Sequence, residues 1–293
     1  MNAQEANSFS TTGRQDSPMW QERSLSHSDR EAFRTCRKSY KDRKTRAKRV
    51  KRETPQFVGD LTHLGTAVDD SAEREKLLSK QLERVPEADR EEVEATVREL
   101  IANDAAMETE GAVDVQKEKL IRWTDPETGW DLVAKPDSMG FVVDDARDRE
   151  VLEVVDKKTA YTVKESHIKQ LLFFGMVASL SMMESFLGSI KLVARALRGK
   201  EEKVLWYSRA RTPQNLREVR ADIYEIEKSI ETDSFPPTTG MHCNRCPFRE
   251  GCDAFKAWTE QDQAGATDVG EASRRDRGSK GRRPFYLSRR RYA

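Results

Sequence analysis

The sequence predicts an α/β domain, and three observations predict it. In its middle, short β-branched or apolar runs (Leu120–Trp123, Trp130–Ala134, Met139–Val143 and Val151–Val155) alternate with turn chemistry such as Asp125-Pro126-Glu127-Thr128-Gly129. Longer stretches with apolar residues at helical spacing flank these runs on both sides. The chain has 293 residues, enough to bury a sizeable core, yet 35% are charged against ~25% in ordinary globular chains. The surplus charge is therefore expected in flexible ends around one compact domain.

Each element has its own signal. Residues 1–26 are polar and unpatterned, and read as a disordered N-terminal tail. Ser28 or Asp29 is placed to cap a helix that runs through Phe33 and Tyr40. Leu64, Val68, Leu78, Leu82 and Val85 predict a helix over Leu61–Val85, and Ala88–Ala106 continues helical after Pro86. After the four strands comes a helix over Ser166–Phe186. Ile190–Ala196 and Lys203–Ser208 flank Arg198-Gly199-Lys200 as a hairpin, and Pro213 opens a last helix to Ile230. The compact part is 27–261, in the order α–α–β–β–β–β–α–β–β–α, and 262–293 is a basic, disordered tail.

The net charge is only +1, but it is segregated along the chain. Residues 37–52 hold ten Lys/Arg and one acid, residues 69–118 hold 16 acids and seven bases, and the stretch from Arg274 holds nine bases and one acid. Such blocks are either solvated faces or a footprint for a polyanion, and charge alone does not separate the two. No apolar run reaches the ~18 residues of a membrane span, and the N-terminus lacks the apolar core of a signal peptide. A soluble, cytoplasmic protein without membrane contact is expected. No G-x-x-x-x-G-K-[ST] occurs, so nothing suggests a helicase motor.

There are four cysteines, Cys36, Cys243, Cys246 and Cys252, and the last three form Cys-x2-Cys-x5-Cys. Thiolates at this spacing suit one metal centre, with Cys36 as the fourth ligand. Spacing alone leaves a four-cysteine zinc site and an iron–sulfur cluster equally open. The β-rich middle carries a second constellation: Pro136-Asp137, then Asp156-Lys157-Lys158 nineteen positions later. In a strand Asp156 and Lys158 share a face, while Lys157 and Glu153 point to the other. Two aspartates on neighbouring strands repel unless a cation lies between them, and Mg²⁺ or Mn²⁺ suits oxygen ligands. A lysine beside that ion orients or deprotonates water and offsets charge on phosphorus, which suits hydrolysis of a phosphodiester.

Together these motifs resemble the RecB-like branch of the PD-(D/E)XK nucleases, closest to iron–sulfur exonucleases such as the CRISPR-associated adaptation exonuclease and related phage proteins. Ser28 to Tyr40 is similar to the family's opening helix with its cysteine. Gly65-Thr66-Ala67-Val68-Asp69 is placed where the family has GxxxH, and Ala134-Lys135-Pro136-Asp137 where it has G-x-P-D. Val155-Asp156-Lys157-Lys158-Thr159 resembles V-D-x-K-T, Gln170 to Phe174 resembles QxxxY, and Phe235-Pro236-Pro237 with the three cysteines resembles the closing segment. The resemblance implies a restriction-endonuclease-like mixed sheet flanked by helices, stapled at its N- and C-terminal portions by a [4Fe–4S] cluster on Cys36, Cys243, Cys246 and Cys252. It implies a DNA exonuclease using Mg²⁺ or Mn²⁺, with Asp69, Asp137 and Asp156 as metal ligands and Lys158 and Gln170 as catalytic groups. Its partners would be DNA with single strands or free ends, and recombination, repair or CRISPR-adaptation proteins. Asp69 in place of histidine and Phe174 in place of tyrosine leave an alternative, a non-catalytic DNA-binding or assembly module. His27, His63, His167 and His242 fall outside the matched positions and are read as non-catalytic.

Overall fold

The structure, a computed structural model, describes residues 23–45, 54–108, 111–144, 149–182 and 189–260. The expected tail from residue 262, most of the N-terminal tail and the expected helix end at Phe186 lie outside the described residues. The chain divides into two units, Met1–Pro236 and Pro237–Ala293.

The first unit opens on β1 (Ser24–Ser26), which runs straight into α1 (His27–Thr35). Ser26 caps α1 two to three residues earlier than expected: its Oγ accepts from the Asp29 N–H at 3.2 Å, and the Asp29 carboxylate accepts from the Ser26 N–H at 3.1 Å. Then come α2 (Arg37–Thr45), α3 (Thr54–Ala67), α4 (Ser71–Leu82) and α5 (Glu87–Ala106). The single helix expected over Leu61–Val85 is two helices, because Asp70 acts as an N-cap: its Oδ1 accepts from the Glu73 N–H at 2.7 Å and starts α4 afresh. The strands are β2 (Val113–Lys117), β3 (Ile121–Thr124), β4 (Asp131–Ala134), β5 (Ser138–Asp144) and β6 (Arg149–Lys158). After α6 (Glu165–Ser181) follow β7 (Ile190–Ala196), β8 (Glu201–Tyr207) and α7 (Thr212–Glu231).

The main sheet has five strands in the order β2-β5-β6-β7-β8. Neighbours are antiparallel except β6 and β7, which run parallel and are joined through α6, so the sheet is mixed. A smaller sheet, β1-β4-β3, pairs β1 parallel to β4. One face of the main sheet, carrying Leu152, Val154, Leu192 and Ala194, packs against α6, which is buried nearly all round from Leu171 to Leu180. Gly175 permits this approach, since a Cβ there would meet the Tyr207 ring at 2.9 Å. α3, α4 and α5 build a second core from Val58, Leu61, Leu78, Leu82, Val93, Val97 and Leu100.

Bases of α1 and the first part of the basic block pair with acids late in the chain. Arg30 and Arg34 bind Asp222 at 2.6 and 2.9 Å, Arg37 binds Glu225 at 3.0 Å, and Lys41 binds Asp233 at 2.5 Å. These pairs tie α1 and α2 along α7; residues 46–52 lie outside the described residues. The second unit is a chain of tight 3₁₀ turns, Met241–Arg245 and Arg249–Gly251, followed by helical residues 253–260. Among the described residues no helix is long and apolar enough to cross a membrane.

Candidate active site

The alternation of side chains along β6 sorts its charges by face. Glu153, Val155 and Lys157 point to the side facing α5, while Val154, Asp156 and Lys158 point to the α6 side. Glu153 is thereby removed from the site, and binds Lys191 at 2.7 Å. Asp156 Oδ1 meets Lys158 Nζ at 2.8 Å, with the aspartate buried and the lysine a quarter exposed. Asp156 Oδ2 is buried without a hydrogen-bond partner among the described residues.

Asp137 reaches the same place from the residue before β5. Its N–H donates to the Val155 carbonyl at 3.1 Å, extending the β5–β6 ladder by one rung. Its Oδ2 accepts from the Lys157 N–H, and its Oδ1 meets His63 Nδ1 at 2.8 Å. His63 comes from α3, and Glu118 joins from the link between β2 and β3, its N–H donating to the Asp137 carbonyl at 3.1 Å. The ligand atoms of His63, Glu118 and Asp137 all lie within 4.8 Å of one another. Glu118 adopts a left-handed backbone, φ 53°, a conformation that costs a non-glycine residue energy and is concentrated at functional sites.

The electrostatics of this cluster suit a cation. Burial pushes the Asp156 carboxyl up; Lys158 opposes the shift and the neighbouring Asp137 charge adds to it. Burial would raise Asp137 as well, but the hydrogen bonds from His63 and the Lys157 N–H bring it below the usual range. The His63 imidazole is raised, chiefly by its hydrogen bond to Asp137 and in spite of its burial. Two buried carboxylates are thus held by an imidazole and an ammonium, and a divalent ion would take up both with hard oxygen donors and one nitrogen.

Of the residues expected from the sequence, Asp137, Asp156 and Lys158 converge. Asp69 does not. It is almost fully exposed, pairs with Lys117 at 2.5 Å, and lines a cavity together with Glu153, Val155 and Lys157 on the opposite face of the sheet. The structure sets Asp69, expected as a ligand, apart from these groups: the helix ends at Ala67, and Asp69 lies in the break before α4. His63 stands beside Asp137 instead, and the signal was present, since Gly59-Asp60-Leu61-Thr62-His63 has the GxxxH spacing six residues earlier. Gln170 is half-buried on α6 one turn after His167, whose imidazole is lowered by burial and by the Lys158 charge. His27 feels the same charge, so three of the four histidines lie within the electrostatic reach of Lys158. Phe174 is packed in the main core. Cys36 is the buried C-cap of α1 in the first unit. In the second unit Cys243 lies in the first 3₁₀ turn, Cys246 ends it and Cys252 ends the next.

Comparison with known proteins agrees with this arrangement. The fold is similar to that of a protein from Eubacterium rectale described as a "putative exonuclease", with a TM-score of 0.51 at 12% identity, over 84% of this chain and 93% of that one. The structure of SSO0001 overlaps more distantly, with a TM-score of 0.33 at 14% identity over 74% and 92% of the two chains, and bears no weight. No curated relative matches the sequence. The sequence pattern of the PD-(D/E)XK nuclease superfamily matches residues 24–253, spanning the mixed sheet, both aspartates and the lysine, and the chain belongs to that superfamily.

Proposed function

We propose that the protein is a metal-dependent deoxyribonuclease acting as an exonuclease, with Asp137, Asp156 and His63 holding Mg²⁺ or Mn²⁺ and Lys158 acting on the attacking water. The observation that carries this reading is the pairing of two largely buried carboxylates with His63 at 2.8 Å and Lys158 at 2.8 Å on one face of the sheet. When bound, the ion polarises the scissile phosphate and lowers the pKa of a water. Lys158, anchored by Asp156, directs its ammonium to that water and to charge developing on phosphorus. Gln170, on the face of α6 that carries His167, orients the DNA backbone. Glu118 adds a carboxylate oxygen at the edge of the ligand set.

The three cysteines fall on consecutive tight turns, with the Cys246 N–H donating to the Cys243 carbonyl at 3.0 Å and the Cys252 N–H to the Arg249 carbonyl at 3.1 Å. Thiols clustered this densely fit a soft metal centre. Together with Cys36, at the family's first ligand position, they are assigned to a [4Fe–4S] cluster. Recombination, repair and CRISPR-adaptation proteins are the proposed partner class.

The test is cleavage of end-labelled single- and double-stranded DNA with Mg²⁺, Mn²⁺ or chelator, on protein purified without oxygen. Metal-dependent release of nucleotides from ends and a brown protein are expected. No cleavage with either ion would refute the nuclease reading, and a colourless protein with one zinc per chain would refute the cluster.

A further inference from the structure

We infer that Lys157, whose side chain points away from the catalytic groups, is a positioning residue that holds the two-aspartate edge in register through a buried ion pair with Asp104. The inference rests on the metal-binding reading of the site given above.

Lys157 Nζ meets Asp104 Oδ2 at 2.6 Å, and only 3% and 4% of the two side chains are exposed. Asp104 belongs to the last turns of α5, on the side of the sheet opposite to Asp156 and Lys158. The adjoining Asn103 Nδ2 donates to the Leu197 carbonyl at 3.0 Å, just beyond β7, so the end of α5 is fastened to the sheet at two points. From the front, the peptide N–H of the same Lys157 donates to Asp137 Oδ2. Its chain neighbours on either side are Asp156 and Lys158. One residue therefore joins a helix behind the sheet to three groups in front of it.

Stability alone does not account for such a pair. Removing two charges from water costs more than the pair usually returns, and apolar residues of similar volume commonly serve packing as well or better. Here the return is further reduced, since Asp104 Oδ1 is buried with no hydrogen-bond partner among the described residues. The pair does what an apolar contact does not: it fixes the direction of one side chain and with it the plane of the 156–157 peptide. If that plane turns, the N–H leaves the Asp137 carboxylate, and Asp156 and Lys158 turn with it. Groups that orient metal ligands from behind typically change metal affinity by about 10–100-fold when removed.

The test uses the full chain, with Mn²⁺ binding measured by calorimetric titration, thermal unfolding, and cleavage of end-labelled DNA. In Lys157→Met/Asp104→Leu, which replaces the pair by apolar groups, unfolding is expected at or above the parental temperature. Its Mn²⁺ Kd is expected to rise by about tenfold or more. The isosteric Asp104→Asn serves where the double variant misfolds, and is expected to move Kd in the same direction. A parental Mn²⁺ Kd in either folded variant would overturn the positioning role while leaving the nuclease reading intact. A parent that binds no Mn²⁺ would overturn both.

Discussion

On the metal-binding reading proposed above, Asp156 stands where it would serve an ion and where it costs the metal-free protein stability. Its Oδ2 is buried with no hydrogen-bond partner among the described residues, and the Asp137 charge lies close by. Burial and that like charge push its carboxyl up to about 6, and a rise of one pKa unit costs the charged form about 1.4 kcal/mol. Asp156→Asn keeps the size and removes the charge. Its amide oxygen still accepts from Lys158, and the Lys158 charge does not outweigh burial and Asp137, since the Asp156 carboxyl stays raised. The metal-free variant should therefore be more stable than the parent by ~1–2 kcal/mol. For a domain of this size that is a rise of ~2–8 °C in Tm. Excess Mn²⁺ should reverse the order, since the parent gains about 2.7 kcal/mol at a hundredfold excess over Kd and a variant without a ligand carboxylate does not. Calorimetry of both proteins, in chelator and in Mn²⁺, reads the two shifts directly. A variant that melts below the parent in chelator would show that the site is not strained, and the reasoning would fail.

The other predictions are simpler. Lys158→Ala should bind Mn²⁺ as the parent does but cleave about a hundredfold more slowly, measured in single turnover at saturating metal. His63→Ala should raise the Mn²⁺ concentration for half-maximal activity, whereas Asp69→Ala should leave the metal titration unchanged. The reverse ranking would return Asp69 to the ligand set. Asp125 is fully buried and accepts two hydrogen bonds from Arg220 at 2.6 and 2.9 Å. Burial raises its carboxyl, but the bonds from Arg220, Thr128 and the Glu127 N–H outweigh it and leave the pKa below 3.8. Its stabilisation is therefore complete above the unfolded value and is lost as pH falls through the lower folded value. Asp125→Asn should cost about 3 kcal/mol at neutral pH and flatten the acid limb of a Tm-against-pH curve.

Much of this site was legible because β6 states its own geometry. Val-Val-Asp-Lys-Lys in a strand assigns Asp156 and Lys158 to one face and Glu153 to the other without any tertiary information. The β5 and β7–β8 segments were equally plain, since apolar alternation and turn residues bound them. β1 is three residues long, and β2 is exposed, shifted in register and carries Asp114 in a left-handed backbone, so neither shows a strand pattern. His63, the proposed ligand, was missed because two glycine spacings follow one another along one helix, and choosing between them requires knowing where that helix ends. Asp70 decides this by capping, and the same Asp looks in the sequence like one more acid in an acidic block. Glu118 carried no signal, because its part in the cluster comes from a strained backbone rather than from a pattern. The bases at 37–44 read as a polyanion footprint or a solvated face, yet Arg37 and Lys41 pair with acids about 190 positions away, and Lys38 and Lys44 with Asp42 and Asp29.

That ladder has a consequence for how the protein is made. Arg30, Arg37 and Lys41 are translated early, but Asp222, Glu225 and Asp233 emerge from the ribosome only after nearly two hundred further residues. Until then α1 and α2 carry unneutralised charge, and Arg30 has no partner with which to be buried. The helices of the α3–α5 core pack among themselves and can form during synthesis, whereas the layer bearing α1 and α7 closes last. On the proposed nuclease reading, the nascent chain would carry its catalytic groups while this layer is still open, until synthesis is nearly finished.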